Sequence, residues 1–211
     1  MSIRDRMLRI SRESKEDFQF ILTRYAMERL LFRLSKSRWI DRFVLKGALL
    51  FLVWSDYQHR PTKDLDLSGF GDGSVARLRE MIVEICKINV VPDGMTYESA
   101  GLSISEIRQD QKYQGQRIKL MARLGNARIP LQIDIGFGDA ITPEPLNLDF
   151  PTFLDMPAPH IRVYPRETVV AEKLQAMVDL GMQNSRMKDF FDVHTMTHLF
   201  EFKGKMLVDA I

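Results

Sequence analysis

A glycine at position 47 divides two short apolar segments, and this break determines what the surrounding chain can form. Residues 43–45 are apolar, Lys46 precedes the glycine, and residues 48–54 continue as a second apolar run. The order is typical of a buried strand, a sharp turn and a short helix, because glycine lets the backbone bend and lets a ligand approach its amides. The first amides of such a helix lack intrahelical partners and suit a phosphate.

An acidic alternation follows the glycine break. Residues 63–67 have the sequence Lys-Asp-Leu-Asp-Leu, and alternate residues of a strand share a face. We therefore expect Leu65 and Leu67 to face the core, and Asp64 and Asp66 to face a cleft. Two such carboxylates repel each other unless they are protonated or bridged by a cation, and hard oxygen ligands suit Mg²⁺ bound to substrate phosphates. A solvated strand edge is the alternative interpretation of Asp-Leu-Asp taken alone.

These two segments resemble a known family. Leu-Lys-Gly-Ala-Leu at 45–49 and Arg-Pro-Thr-Lys-Asp-Leu-Asp-Leu at 60–67 are similar to the AbiEii/AbiGii toxins. That family includes the MenT toxins and belongs to the polymerase-β-like nucleotidyltransferases. The resemblance extends from about Phe18 to the end of the sequence. It departs at Ala48, because the superfamily usually has Gly or Ser there, and a hydroxyl contact to phosphate is therefore lost.

The resemblance implies an α+β fold, in which a polymerase-β-like nucleotidyltransferase domain with a mixed sheet flanked by helices precedes a C-terminal helical part. We place the nucleotidyltransferase core and its N-terminal helix at residues 1–142, a linker at 143–163, and the helical part at 164–211. The linker contains five of the nine prolines and little periodicity. Family members usually continue with further helices, so we expect the helical part to be truncated at Ile211; a naturally short member with a reduced substrate platform is the alternative.

A predicted hairpin supplies a third carboxylate. Residues 116–123 alternate between apolar and polar, a Gly-Asn turn follows, and residues 129–137 alternate again. Asp134 falls opposite the apolar face of the second strand, where burial without a partner would be costly. The resemblance implies that Asp134 joins Asp64 and Asp66 in the cleft. A surface-facing Asp on an edge strand is the alternative.

Two further motifs lie in the C-terminal part. An Ala-Glu-Lys-Leu segment contains Lys173, which the resemblance implies is a contact to nucleotide phosphate. A lysine beside an apolar face otherwise extends to solvent. The family's Lys-Asp-x-x-Asp signature follows, and helical spacing predicts that Lys188, Asp189 and Asp192 share a face. A salt-bridged helix surface is the alternative.

A basic helix is predicted near the N-terminus. Residues 15–34 have helical periodicity, and basic side chains recur in this segment and just after it. We interpret them as a solvated helix face; an RNA-facing surface is the alternative, because Lys and Arg neutralise phosphates. The basic residues are Arg24, Arg29, Arg33, Lys36 and Arg38.

Composition narrows the class of protein. Hydrophobic residues make up 45%, charged residues 27% and the net charge is +2, as in an ordinary globular protein that does not require nucleic acid as a partner. A single cysteine, a charged N-terminus and apolar runs too short to span a bilayer favour a cytoplasmic protein without membrane association. The spacing of the histidines does not match a metal site. We therefore interpret His59, His160, His194 and His198 as structural residues.

The motifs together predict an Mg²⁺-dependent (or Mn²⁺-dependent) nucleotidyltransferase. Its three strand carboxylates would hold two metal ions about 4 Å apart, as in other two-metal enzymes. The metal ligands are Asp64, Asp66 and Asp134. The catalytic set comprises these residues with Lys173 and Asp192. The nucleotide-binding residues are Lys46, Gly47, Ala48, Lys63, Lys188 and Asp189.

The resemblance also implies partners. They are an NTP, an RNA acceptor such as the tRNA 3′ end, and an antitoxin that opposes a toxin of the abortive-infection, or phage-defence, type. Two other classes stay open on the residues alone. One is a metal-dependent glycosyltransferase that uses Asp-x-Asp to hold a nucleotide sugar, and the other is a non-catalytic nucleotide- or protein-binding member of the same fold.

Overall fold

The computed structural model describes residues 2–55, 60–109, 113–181 and 184–211, which divide into two compact units. The first unit comprises Met1–Gly138 and Asn147–Arg162. The second comprises Asp139–Leu146 and Val163–Ile211. His59 lies outside the described residues, so its structural role stays a prediction.

The first two helices begin at side-chain caps. The hydroxyl of Ser2 accepts a hydrogen bond from the amide of Asp5, whose carboxylate accepts one from the amide of Ser2, so a capping box starts a first helix that the sequence analysis did not predict. Asp17 caps the second helix by accepting from the amide of Phe20. The helices in the described residues are α1 Ile3–Ser14, α2 Phe18–Ser35, α3 Leu50–Trp54, α4 Val75–Cys86, α5 Arg166–Leu180, α6 Met187–Leu199 and α7 Gly204–Ala210.

Within the described residues, eight strands form one sheet with the order β3-β5-β6-β2-β1-β8-β7, and β4 pairs with β5. β2 and β6 are parallel, whereas the β1–β2, β5–β6, β3–β5 and β4–β5 pairs are antiparallel. The predicted α+β class with a mixed sheet is therefore confirmed. The strands are β1 Phe43–Lys46, β2 Asp64–Gly69, β3 Met95–Tyr97, β4 Ser103–Gln109, β5 Tyr113–Leu124, β6 Ala127–Phe137, β7 Leu146–Asp149 and β8 His160–Val163.

One face of the sheet carries the core of the first unit. Helix α2 packs on β6 and contacts α1 and α4. Alternate residues of the β5–β6 hairpin are buried beneath the helices, as the predicted alternation requires. They include Ile118, Leu120, Ala122, Ile129, Leu131, Ile133 and Ile135.

The surface interpretation of α2 is wrong for two of its arginines. Arg29 is 0% exposed and donates to the carbonyl of Pro157 at 2.9 Å. Arg33 is 5% exposed and binds both carboxylate oxygens of Asp93, at 2.6 and 3.1 Å. These guanidinium groups connect loops to the helix, because their planar set of N–H donors can form hydrogen bonds with buried oxygens. They are not available to an RNA.

The segment predicted as a linker, residues 143–163, contains regular structure. It includes β7 and β8, which extend the sheet beside β1. The amide of Phe150 donates to the carbonyl of Pro159 at 2.8 Å, and Phe150 is buried. Prolines therefore bound short strands here, which is compatible with their place at sheet edges.

The second unit is built on α5, which packs against α6 and α7. Pro165 directly precedes its first turn, and Val169 and Val170 are buried. Val178, near the end of the same helix, is 76% exposed, so the buried face does not extend to the last turn. In the part of the chain that the structure describes, no helix is long and apolar enough to cross a membrane.

Candidate active site

The acidic alternation lies on β2. Leu65 and Leu67 are buried, as predicted, and Asp64 and Asp66 are half-buried on the other face of the strand. Asp66 lies in register with Lys46 of β1 on one side. The central strand therefore presents two carboxylates on the face of the sheet that the α2 core does not occupy.

A third carboxylate comes from the next strand. Asp134 of β6 is in register with Asp66 on the parallel β2, and neighbouring strands lie about 4.8 Å apart. Burial, followed by the charges of Asp134 and Asp64, raises the pKa of Asp66 to about 7, while Lys46 opposes the shift. The two strands thus concentrate negative charge that their surroundings do not fully neutralise.

Gly47 joins the turn to these carboxylates. Its φ is +74°, and a Cβ atom at this position would collide with the side chain of Asp66. Ala48 is buried and lines a small depression that Arg24, Arg60 and Thr62 also line. The backbone of the turn and the carboxylates of β2 therefore form one continuous surface, which a larger residue than glycine would disrupt.

A cation fits this chemistry, although the three carboxylates do not form a metal cage in this conformation. Across the four described ranges, no group of three or more His, Cys, Asp or Glu side chains is arranged to hold a metal ion. Both oxygens of Asp134 instead accept hydrogen bonds from Arg117, at 2.9 and 2.7 Å. Asp64 and Asp66 offer hard oxygen donors on one face, and a divalent ion would relieve the repulsion that raises the pKa of Asp66.

The second unit contains another charged cluster. The ammonium group of Lys173 lies 2.8 Å from a carboxylate oxygen of Asp189 and 2.8 Å from one of Asp192. Arg186 pairs with Asp189 as well, at 2.8 Å. Asp189 is 4% exposed and Asp192 is 1% exposed, so the cluster is a buried network. The structure therefore brings together Lys173 and both aspartates of the Lys-Asp-x-x-Asp segment.

Two predicted nucleotide-binding lysines are exposed to solvent. Lys188, Asp189 and Asp192 lie within about 100° around the axis of α6, as their spacing predicts, but only the two aspartates are buried. At 3.6 residues per turn Asp192 lies between the other two around the helix axis, and the boundary of the buried face falls between Lys188 and Asp192. Lys63 is exposed and directly precedes β2.

Sequence reasoning missed Arg117 and Arg186 as partners of the site residues. A signal for Arg117 was present, because a two-residue loop at Gly125-Asn126 pairs Leu124 with Ala127, and counting along the hairpin places Arg117 opposite Asp134. Arg186 precedes Asp189 by three residues, a spacing at which helical side chains meet.

Comparison with known proteins decides the family. Residues 29–211 match the family described as nucleotidyl transferase AbiEii toxin of the type IV toxin–antitoxin system. The chain belongs to the AbiEii nucleotidyltransferase family. The resemblance of the Gly47 and Asp64–Asp66 segments to AbiEii toxins is thereby confirmed, and the chain is a nucleotidyltransferase of a toxin family whose members generally use divalent metal ions.

Solved structures support the fold of this AbiEii protein. JHP933 from Helicobacter pylori is 18% identical with a TM-score of 0.57, and the match covers 89% of this chain and 71% of that chain. A Helicobacter pylori protein described as a nucleotidyltransferase is 19% identical with a TM-score of 0.56, and the match covers 89% and 73%. The predicted nucleotidyltransferase fold is confirmed by these likenesses. No curated protein matches the chain.

Proposed function

We propose that this AbiEii protein transfers a nucleoside monophosphate from an NTP to a hydroxyl group of an RNA, such as the 3′ end of tRNA, with Mg²⁺ or Mn²⁺. The proposal is carried by one observation: the Gly47 turn lies against Asp66, and Asp66 lies beside Asp134. A phosphate-binding turn next to paired carboxylates is the arrangement that metal-dependent phosphoryl chemistry requires.

In the proposed reaction the acceptor hydroxyl oxygen forms a bond to the α-phosphorus. The bond between the α-phosphorus and the bridging oxygen to the β-phosphate breaks, pyrophosphate leaves, and the hydroxyl proton passes to solvent. Asp64 and Asp66 would hold the divalent ions, with Asp134 as the third ligand. When bound, these ions would lower the pKa of the acceptor hydroxyl and neutralise the triphosphate.

The phosphate cradle is proposed at the Gly47 turn. The amides of Gly47 and Ala48, with Lys46, would bind the outer phosphates, and Lys63 would add positive charge at the start of β2. Arg24 and Arg60 line the same depression as Ala48, so the surroundings of the turn are cationic. Positive charge of this kind favours a triphosphate over an uncharged ligand.

For the second unit we propose the roles that the family resemblance implies. Lys173 would neutralise charge on the transferred group, and Asp192, Asp189 and Lys188 would orient the nucleotide or the acceptor. Lys173 already contacts two buried carboxylates, so it is held in one position. A preorganised cation stabilises developing charge without reorganisation at the moment of reaction.

The acceptor is proposed to follow the open face of the β5–β6 hairpin. Lys119 and Arg128 are exposed, and within the described ranges neither forms an ion pair. Lys119 is in register with Gln132, which is in register with Asp64, so one row of side chains leads from the carboxylates to the lysine. This placement supports a polyanionic acceptor, because lysine and arginine neutralise backbone phosphates.

The biological setting belongs to the same proposal. As a member of a toxin family, the chain would act in the cytoplasm on cellular RNA, and an antitoxin would oppose it. The proposed consequence is abortive infection, in which modified RNA stops growth of a phage-infected cell. Family membership favours nucleotidyl transfer over the nucleotide-sugar alternative.

The test is a transfer assay with the full chain. Purified protein is incubated with Mg²⁺, total RNA and each α-labelled NTP in turn, and label on RNA is resolved on a denaturing gel. We expect label on an RNA of tRNA size from at least one NTP. Label on protein instead of RNA would show that the acceptor is a protein and not an RNA. Absence of transfer with every NTP would contradict the proposal.

Matched variants identify the site. Asp66→Ala should abolish transfer, whereas Asp41→Ala should leave it unchanged, because Asp41 is an exposed carboxylate of the same unit. Equal transfer by Asp66→Ala and wild type would show that the labelled product does not come from this site.

A further inference from the structure

Asp134, the third ligand of the proposed metal site, already forms an ion pair with Arg117. The guanidinium group donates from Nε and Nη2 to the two oxygens of Asp134, at 2.9 and 2.7 Å. The amide of Gln132 donates to one of the same oxygens at 3.3 Å. Both oxygens of Asp134 therefore already accept hydrogen bonds from the protein.

The geometry of the sheet fixes this pairing. Arg117 and Asp134 are directly opposite on the antiparallel β5 and β6, and Asp134 is directly opposite Asp66 on the parallel β2. The three side chains consequently form one row across three strands, with the guanidinium at one end. A fork of two parallel hydrogen bonds to a carboxylate is stronger and more directional than a single contact.

We propose that Arg117 is an internal counter-ion that holds Asp134 and competes with the divalent ion for it. Asp134 becomes a metal ligand only when this bidentate contact breaks, so Arg117 sets the metal affinity of the site. The inference rests on the proposed function, because it takes Asp64 and Asp66 as the primary ligands.

The exposure of the pair makes exchange feasible. The side chain of Arg117 is 38% exposed and that of Asp134 is 18% exposed, so water can solvate the guanidinium when it leaves. An ion pair at this depth is weaker than a buried one and can be exchanged for a better cation. Without Arg117, Asp134 would repel Asp66 more strongly until a metal ion was bound.

The test measures binding of Mn²⁺ to the full chain by calorimetry, without NTP or RNA. Arg117→Gln should bind Mn²⁺ roughly tenfold more tightly than wild type, the strength of one hydrogen bond to a charged group. Lys119→Gln is the matched control, since it removes one positive charge from the same face, two residues along β5, opposite Gln132. Its affinity should change less than about twofold, because exposed charges are screened.

Two outcomes would overturn the inference. One is an Mn²⁺ affinity of Arg117→Gln equal to or weaker than that of wild type. The other is equal tightening in Lys119→Gln, which would make the effect one of general charge. Arg117→Lys, which keeps the charge but loses the fork, should fall between wild type and Arg117→Gln, and it serves if the glutamine variant does not fold.

Stability gives a second readout that does not depend on activity. With EDTA, Arg117→Gln should unfold at a lower temperature than wild type, and saturating Mn²⁺ should remove that difference. If wild type bound no Mn²⁺, or if Asp66→Ala bound Mn²⁺ as tightly as wild type, the proposed metal site itself would be contradicted. Failure of the proposed function is thereby distinguished from failure of the role of Arg117.

Discussion

The backbone of Gly47 lies against the carboxylate of Asp66, closely enough that a Cβ atom on residue 47 would overlap that side chain. The two residues meet because β1 and β2 are antiparallel neighbours and Lys46 is in register with Asp66. The turn that follows β1 is thereby held over the acidic end of β2. Changes at either residue should therefore affect both the fold and the chemistry.

Replacing Gly47 with alanine should impair both stability and transfer. The new Cβ would displace the carboxylate of Asp66, and the φ of +74° is unfavourable for any residue with a side chain. We expect a loss of about 2 kcal/mol in the free energy of unfolding, from backbone strain and overlap together. Chemical denaturation and the RNA-labelling assay measure the two effects.

Gly125→Ala is the matched control for this substitution. Gly125 also has a positive φ, +57°, but no atom lies within 4 Å of a Cβ built there. It should lose about 1 kcal/mol from strain alone and keep full transfer. If Gly47→Ala kept wild-type transfer, the close approach to Asp66 would have no functional importance.

Asp66→Asn should separate stability from activity. Removing the charge abolishes a proposed metal ligand, so transfer should fall to background. The same change relieves repulsion from Asp64 and Asp134, whose charges, with burial, raise the pKa of Asp66 to about 7. In EDTA at pH 8 we expect the free energy of unfolding to rise by about 1 kcal/mol. Urea denaturation of wild type, Asp66→Asn and the exposed control Asp41→Asn measures this change. A lower free energy of unfolding for Asp66→Asn than for wild type would contradict the prediction.

The local pattern predicted the acidic face well, because alternation in a strand depends only on neighbouring residues. Asp64 and Asp66 share a face of β2, and the Gly-Asn turn produces the hairpin that carries Asp134. Pairing between distant strands was not contained in these patterns. The parallel register of β2 with β6 sets Asp66 beside Asp134, and it depends on packing of the whole sheet.

Burial of charge was the least predictable feature. Basic residues on α2 have the spacing of a surface helix, yet Arg29 and Arg33 are buried because distant loops supply oxygen partners. The first helix was missed for a related reason. Its sequence is mostly polar, and what identifies it is the capping box at Ser2 and Asp5 together with the buried Met7.

Lys173→Met should destabilise the second unit. It would remove the ammonium group that lies 2.8 Å from a carboxylate oxygen of Asp192 and 2.8 Å from one of Asp189, while Arg186 would still pair with Asp189. Breaking a buried ion pair on one side costs about 3 kcal/mol, because the remaining carboxylate loses a compensating charge. Chemical denaturation of the full chain measures this loss.

Arg186→Met is the control for the lysine. Arg186 is 49% exposed, so its removal should cost at most about 1 kcal/mol. The double variant Lys173→Met with Asp192→Asn should recover part of the loss, since it also removes the buried negative charge that Lys173 compensates. Equal stability of Lys173→Met and wild type would contradict a structural role for the network.

Lys119→Gln and Arg128→Gln should weaken RNA binding. If each side chain neutralises one phosphate, each variant should reduce the slope of log affinity against log salt by about 0.7 for a single strand. Fluorescence anisotropy with a labelled RNA measures this slope. Lys87→Gln, an exposed lysine at the end of α4, should leave it unchanged. If all variants had the same slope of log affinity against log salt as wild type, the open face of the sheet would not be the RNA-binding surface.

Glu28 should make the stability of the first unit depend on pH. It is 1% exposed, accepts a hydrogen bond from the amide of Phe153 at 2.9 Å and lies 2.9 Å from Arg29. Burial raises the pKa of Glu28 from 4.5 to about 7, although the hydrogen bond and the arginine oppose the shift. Between those two values the folded protein keeps a proton that the unfolded chain has released.

The free energy of unfolding of wild type should therefore decrease, relative to Glu28→Gln, as the pH rises from 4.5 to about 7, and the difference should be constant above pH 8. We expect a change of about 1–3 kcal/mol across this window. Urea denaturation at closely spaced pH values measures it, with Glu106→Gln, at an exposed carboxylate, as the control. A difference that grew in favour of wild type with rising pH would mean that Arg29 outweighs burial, because the carboxylate would then be stabilised in its charged form.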